Sequence, residues 1–458
     1  MAIVGGGPGG LMTAYQLQER CSAPFATTIY EAGERLGGKV VTGRFSSAPV
    51  MHEAGAAELY DYSQVGEDPL RELVERLGLR AKPMTGATII LGDHELSSLE
   101  DVGRVYGAAT RRALEAFDLH ARRWMDPQQY YESDWREQNA DPMTQRTFDD
   151  ELADVPDETA RRYLRTMVHS DLATEPHRTN ASYGLQNYLM NDLDYMRLYT
   201  IEGGNERLVQ ELAARIKAGV RLREPVLRVA RMDDGRLRVS SRRDGRAVTE
   251  EYDFAVVALP HSALPFVEWE GTPLREAMHR HYVHYDYPAH YLRVSVLFRE
   301  VFWQRHLQDS YLMLDAFGGC CLYDESSRND CAGYGVLSWL LAGDAAMNAS
   351  NRGDAELIDM VLDALPAWLR HGRDLKLEGR VYRWIGEVNG LPGGAPALDM
   401  EARHLPEPGR PNLVVVGDYL FDSTLNGVMD SADYAAELLA EKIEAASRAP
   451  AELQGARA

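Results

Sequence analysis

Apolar and polar positions change their period several times along the chain, and each change marks a structural part. Ala2 to Val4 is a short apolar run broken by Gly5 to Gly10, Leu11 to Arg20 is helix-forming, and Thr27 to Tyr30 is β-branched and aromatic. That order predicts strand, tight turn, helix, strand. A polar stretch from about Asp101 to Met190 holds Trp124, Tyr130, Tyr131 and Trp135 among many charges and predicts an inserted helical subdomain. Glu206 to Lys217 predicts a helix. Short alternating stretches come next, Val220 to Val229 and Leu237 to Ser241, and Asp234-Gly235 and Asp244-Gly245 predict hairpin turns between them. Phe254 to Leu259, ended by Pro260, and Leu413 to Val416 read as buried strands. Tyr291 to Phe298 and Tyr311 to Leu340 form a second β-rich region, succeeded by a helix over Ala355 to Arg370 and a closing helix over about Asn426 to Ala446. The fold class expected is α/β plus α+β: a Rossmann-like nucleotide-binding domain assembled from discontinuous segments, with a mixed-sheet and helical substrate domain.

Composition narrows the classes. A chain of 458 residues exceeds one ordinary core, so two regions are expected. With 26% charged residues it has no apolar run near the roughly 20 residues of a membrane helix, so no membrane partner is expected. Its 49 Lys and Arg against 70 Asp and Glu give a net charge of −21, which repels phosphate backbones and argues against nucleic acid. Cys21, Cys320, Cys321 and Cys331 show no metal-ligand spacing, so no metal is expected, and so few thiols suit a reducing compartment. With Met1 to Val4 running straight into the first motif, they predict a cytoplasmic protein. His52-Glu53 begins a zinc-protease motif, but Ala56 stands at the second histidine position, and there is no G-x-S-x-G elbow.

The chemistry starts at the glycine turn. Gly5-Gly6-Gly7-Pro8-Gly9-Gly10 fits G-x-G-x-x-G directly after a strand and opening a helix: Gly5 permits the turn, Gly7 lets a pyrophosphate approach, and Gly10 lets helix and strand pack. Glu31 ends the second strand 21 residues after Gly10, where a carboxylate accepts from ribose hydroxyls and disfavours the 2′-phosphate of NADP. The loop is expected to bind a dinucleotide.

From Glu31 onward the chain resembles one family. Glu31-Ala32-Gly33-Glu34-Arg35-Leu36-Gly37-Gly38-Lys39 is similar to the E-A-x-x-R-x-G-G-R/K segment of the FAD-dependent amine oxidases, which include monoamine, polyamine and L-amino-acid oxidases. Arg35 is suited to neutralise the pyrophosphate, and Gly37-Gly38 let the chain pass an extended FAD. His52 to Glu58, with Gly55, Ala56 and Ala57, resembles the segment passing the flavin ring; Thr174 to His177 with Asn180 to Ser182, Glu202 to Gly204, and Ala255 to Pro260 also match family elements. Pro225-Val226 resembles the strand whose backbone meets adenine. Gly417-Asp418 and Gly427-Val428-Met429 resemble the elements that bind the ribityl chain and aim the last helix at the flavin pyrimidine ring. The resemblance implies an FAD-binding domain over 1–80, 201–265 and 400–446, a substrate domain with a helical insertion over 81–200 and 266–399, and a disordered tail at 447–458.

Three departures shape the functional reading. The family's lysine beside the reactive flavin nitrogen lies ten residues before the tryptophan of a Phe-Trp pair; here Phe302-Trp303 puts Arg293 there, which keeps the charge in a longer, planar group. The stretch from Trp384 through Leu391-Pro392-Gly393-Gly394 lacks the family's tyrosine and its FAD-tethering cysteine, which implies noncovalent FAD. Glu58 stands where L-amino-acid oxidases place an arginine, so it favours a cation over a carboxylate. The site residues expected for catalysis are Arg293, Glu58 and His290, the last because it lies three residues before Arg293 and is expected to face the same cavity. The activity expected is oxidation of a C–N bond of a small amine, with oxygen or another acceptor as second partner and a homodimer as the assembly to test. The alternatives are a flavin desaturase acting on a C–C bond, an L-amino-acid oxidase, and a flavin-binding protein without catalysis.

Overall fold

The protein is described by a computed structural model covering residues 1–455, apart from 87, 133–141, 391–397 and 422. Trp135 and the Leu391 to Gly394 turn therefore lie outside the described residues. The chain divides into two units: Met1–Val40 with Glu206–Asp286 and Leu398–Ala458, and Val41–Asn205 with Tyr287–Ala397.

The first unit is built on a parallel sheet in the order Ala218–Arg221, Thr27–Tyr30, Ala2–Val4, Ala255–Val257, Leu413–Val415. The last three of these strands are buried at every position, as expected of apolar runs covered on both faces. The Pro8–Arg20 helix packs against Glu206–Arg215 and the closing helix Leu425–Gly455. That closing helix continues into the tail expected at 447–458. A second sheet holds Arg246–Tyr252, Leu237–Arg243 and Val226–Arg231 as an antiparallel meander, with Glu268–Glu270 parallel at its edge. The Asp244-Gly245 turn has positive φ at both residues, 50° and 76°, which accounts for its Asp-Gly sequence.

The second unit contains a seven-stranded sheet ordered Lys376–Asn389, Pro288–Phe298, Gly335–Ala342, Cys320–Asp324, Tyr311–Leu314, Ile89–Leu91, His94–Leu96. Strand alternation divides its side chains between two cores. Leu292, Val294, Leu322 and Trp339 face one core with Trp303 and Leu357. Tyr311, Met313, Cys321, Tyr323 and Leu340 face the other, packed against Leu114, Phe117, Phe148, Leu164, Val168 and Leu185 of the inserted helices.

Two boundaries differ from expectation by twenty residues or more. Residues 41–80 fold with the second unit, because Leu59–Asp61 and Ala81–Met84 both pair with Arg197–Ile201. Residues 266–286 fold with the first, because Glu268–Glu270 pairs with Val226–Arg231 and the Thr272–His284 helix packs on it. The helix expected over Ala355 to Arg370 splits into Asp354–Asp363 and a 3-10 segment Ala367–Leu375, since Pro366 lacks the N–H needed to carry an α-helix onward.

Close packing of the first strand and helix rests on Gly10, where a Cβ would lie 2.2 Å from the Gly5 carbonyl oxygen. Gly10→Ala is expected to cost about 1–3 kcal/mol through overpacking, read as a lower urea midpoint at unchanged m-value.

Candidate active site

In the first unit the cofactor positions converge. Gly5, at φ 111°, ends its strand with its N–H on the Tyr30 carbonyl, and a Cβ there would strike the Ala258 carbonyl oxygen at 2.2 Å. Pro8 opens the helix, and no side chain caps that end. Gly9 sits against Val416 and Val428, so the glycine turn and the start of the closing helix meet. Gly7 itself is lightly crowded: a Cβ added there would meet only Gly38, at 3.8 Å. Glu31 is fixed by its own backbone surroundings, one oxygen accepting from Gly6 N–H at 2.9 Å and the other from Gly33 N–H at 2.6 Å. Beside it, the Glu224 N–H donates to the Glu31 carbonyl and brings the Pro225-Val226 strand alongside.

Two charges are arranged differently from the expectation. Arg35 donates to the carbonyls of Leu36, Gly38 and Val40 and lies 3.8 Å from Glu206, so its guanidinium shapes the Ala32 to Lys39 loop itself. Lys39 reaches Asp418 instead, with Nζ 2.6 Å from Oδ2. Asp418 also accepts from the Tyr419 N–H, while Gly417 N–H donates to Ser431 of the closing helix. Within that helix the Gly427 N–H donates to Thr424 Oγ1, and Val428 and Met429 are buried behind it.

In the second unit the segment from Ala54 to Ala57 is pinned carbonyl by carbonyl. Trp384 Nε1 donates to Ala54 at 2.8 Å, Asn205 Nδ2 to Ala56 at 3.0 Å, and Arg328 Nη1 to Ala57 at 2.5 Å. From the other side the N–H groups of Ala54 and Gly55 share the Val41 carbonyl. Glu58 comes directly after, and it lines a cavity with Asp171, Tyr60, Asn191, Tyr311 and Tyr323, together with Met190, Met196 and Met313. One carboxylate oxygen of Glu58, Oε2, is buried without a hydrogen bond. Burial, and next the charge of Glu58, push the Asp171 carboxyl up to about 8, against an opposing hydrogen bond from Asn191. Nearby, burial reinforced by Glu325 raises Glu53 to about 7, although Thr42 and the Asn205 N–H both donate to it.

Arg293 and His290 do not share a cavity. Three residues apart on one strand, they point to opposite faces. His290 Nδ1 accepts the Gly386 N–H at 3.0 Å, across the bulge in its pairing with Lys376–Asn389. Arg293 is 2% exposed, lies 3.8 Å from Glu325, and stacks its guanidinium 4.7 Å over the Tyr323 ring.

Asp171, Tyr323, Arg328 and Asn205 escaped the sequence reading. For Asp171 a signal existed: it falls three and four residues after Val168 and Met167, on the face of the Glu158–Leu172 helix that packs the core. An acid at helical spacing on an apolar face is uncommon unless it is partnered or functional.

The first unit thus holds a glycine turn with an acid in register, and the second an acidic cavity. The chain belongs to the flavin-containing amine oxidoreductase family, whose model matches residues 8–440; it is an oxidoreductase with a flavin cofactor. Polyamine oxidase 2 of Arabidopsis thaliana is 35% identical over 96 residues, 21% of this chain and 18% of that protein, and polyamine oxidase 5 of Oryza sativa subsp. japonica is 34% identical over 96 residues. The match thus spans under a fifth of the length of these relatives. A double mutant of putrescine oxidase superposes with a TM-score of 0.74 at 17% identity, covering 96% of this chain and 98% of that one. Cyclohexylamine oxidase from Brevibacterium oxydans IH-35A gives 0.73 at 19%, covering 97% and 99%. At such identities the likeness is one of fold. Among the described residues no helix is long and apolar enough to cross a membrane.

A raised carboxyl has a consequence for stability. Asp171 keeps its proton in the folded protein up to about pH 8 but loses it near pH 4 when unfolded. Its contribution is therefore fully present below about pH 4 and is lost as pH rises through about 8. Asp171→Asn is expected to raise the melting temperature at about pH 9 relative to about pH 5, measured against wild type at both; an equal change at the two pH values would contradict this.

Proposed function

We propose that the protein is an FAD-dependent amine oxidase whose substrate carries a second positive charge, as a diamine or polyamine does. The single observation that carries this reading is the pair Glu58 and Asp171 in a cavity walled by tyrosines and methionines. A carboxylate oxygen that finds no partner in the protein suits an ammonium, and methionine and aromatic walls suit a methylene chain. The similarity to polyamine oxidases and the fold shared with putrescine oxidase support the same substrate class.

FAD is favoured over other dinucleotides by the Glu31 to Lys39 segment, and noncovalent attachment by the absence of cysteine from the Trp384 to Gly394 stretch. When bound, FAD supplies the acceptor for the hydride equivalent that leaves the carbon beside the amine nitrogen. The chain's own residues bind and orient. Glu58 takes the distal ammonium, protonated Asp171 offers a hydrogen bond, and the apolar walls exclude water and hold the alkyl chain extended. The reacting nitrogen is neutral when the carbon–hydrogen bond breaks, and the imine formed is hydrolysed to a carbonyl compound and a free amine. Oxygen or another acceptor then takes the two electrons, and a cytoplasmic setting is consistent with the thiols.

Anaerobic mixing with diamines, monoamines and amino acids, followed at the flavin absorbance and then in air for peroxide, tests the reading. Diamines are expected to bleach the flavin at the lowest concentrations; flavin that stays oxidised with every amine would sink it. Glu58→Gln should lower the selectivity for a diamine over a monoamine, as the ratio of kcat/KM values, by about 10- to 100-fold.

A further inference from the structure

We infer that the Tyr311 ring, seated on Gly86, sets how long a methylene chain the acid cavity accepts, so that these two residues determine selection by substrate length. The inference rests on the substrate class proposed above and names the residues that select within it.

Tyr311 and Met313 on one strand and Cys321 and Tyr323 on the next line one wall of the cavity that holds Glu58 and Asp171. Tyr311 pairs with Tyr323 and Met313 with Cys321, so the four side chains stand in two rows on the helix-covered face of the sheet. The ring centroids of Tyr311 and Tyr323 are 6.4 Å apart.

Gly86 lies against the Tyr311 ring. A Cβ at this glycine would lie 2.3 Å from both Cε1 and Cζ of Tyr311 and 2.6 Å from Cδ1. Carbon atoms in contact stand about 3.5–4.0 Å apart, so the ring fills the volume that any side chain at residue 86 would need. Which of the two gives way is decided by the backbone. The Thr85 carbonyl accepts from the N–H groups of Ser310 at 2.7 Å and Tyr311 at 3.3 Å, and the Thr85 N–H donates to Ser310 Oγ at 3.3 Å. On the other side of Gly86, the Thr88 carbonyl accepts from the Met313 N–H at 3.0 Å, and Thr88 Oγ1 donates to Asp309 at 2.8 Å. The chain around Gly86 is thus tied to the strand that carries Tyr311, whereas the ring turns about side-chain torsions. A methyl at residue 86 therefore displaces the ring, and the open space bordering that ring is the cavity. The absence of a side chain at Gly86 is what lets Tyr311 stand back from it.

Initial rates of the flavin-loaded enzyme with straight-chain α,ω-diamines, from propanediamine to octanediamine, test the assignment. Gly86→Ala is expected to lower kcat/KM for the longest accepted diamine about tenfold relative to the shortest, and Tyr311→Leu to move the optimum to a longer chain, since a pocket discriminates one methylene by about tenfold or more. With both substitutions present the methyl has no ring to push, so the optimum should match that of Tyr311→Leu alone. An optimum unchanged in either single variant, or a Gly86→Ala shift as large beside Tyr311→Leu as in wild type, would overturn the role of the pair and leave the substrate class standing. Should Gly86→Ala not fold, the profile of Tyr311→Leu decides by itself. If no diamine reduces the flavin of the wild-type protein, the substrate class fails and this inference fails with it.

Discussion

Carboxyl groups enclosed with too few cations are the constraint around which the second unit is arranged. Glu53, Glu58, Asp171 and Glu325 lie in one neighbourhood whose buried cations are Arg293 and Arg328. Charge without solvent or a counter-ion is costly, and a protein meets that cost by pairing, by hydrogen bonding, or by holding a proton. All three occur here. Glu325 is paired with both arginines, Glu53 is bonded by Thr42 and the Asn205 N–H, and Asp171 keeps its proton to about pH 8. Glu58 alone keeps an oxygen in the cavity that none of these devices satisfies. On the reading proposed above, a cationic substrate supplies the missing charge, and the imbalance that is costly in the empty protein becomes affinity in the complex.

The first unit faces the opposite requirement, the approach of a polyanion to backbone. Its solution is steric before it is electrostatic. Gly5 and Gly10 are needed because carbonyl oxygens stand where their Cβ atoms would be, whereas Gly7 and Gly38 pack against each other, a Cβ on Gly38 falling 3.1 Å from the Gly7 Cα. Glu31 is immobilised by two backbone N–H groups and needs no partner side chain to hold its position. Such a site depends on local geometry within a strand, a turn and a helix.

That difference explains what the sequence disclosed. The turn from Gly5 to Gly10, Glu31 at its fixed distance, and the short apolar strands were legible because each depends on neighbours in the chain. Gly417-Asp418 was legible through resemblance. The helical insertion and the hairpins came from period and turn chemistry, while the breaks at Pro366 and at Pro225, where Val220 to Val229 divides between two sheets, were overlooked. The cavity was only half legible. Glu58 stood out because of the residue it replaced, but Asp171 and Tyr323 reach it from a helix and a strand far apart in sequence, and no local pattern joins them. His290 misled because a spacing of three suggests a shared face on a helix and opposite faces on a strand.

Arg293 illustrates how a position can keep its charge and acquire another task. A lysine there would present a compact ammonium on a flexible stem, unable to lie flat on a ring. The guanidinium carbon stands 4.7 Å from the centroid of the Tyr323 ring, and the same group faces Glu325. Removing it would leave both Glu325 and the Tyr323 ring to Arg328 alone. The same alternation that turns His290 away brings Tyr291 and Arg293 to the face of the sheet where Tyr323 stands. Strand geometry therefore couples the identity of residue 293 to the arrangement of the acid cavity, and a change of cation at this one position has to be read together with Tyr323, Glu325 and Glu58.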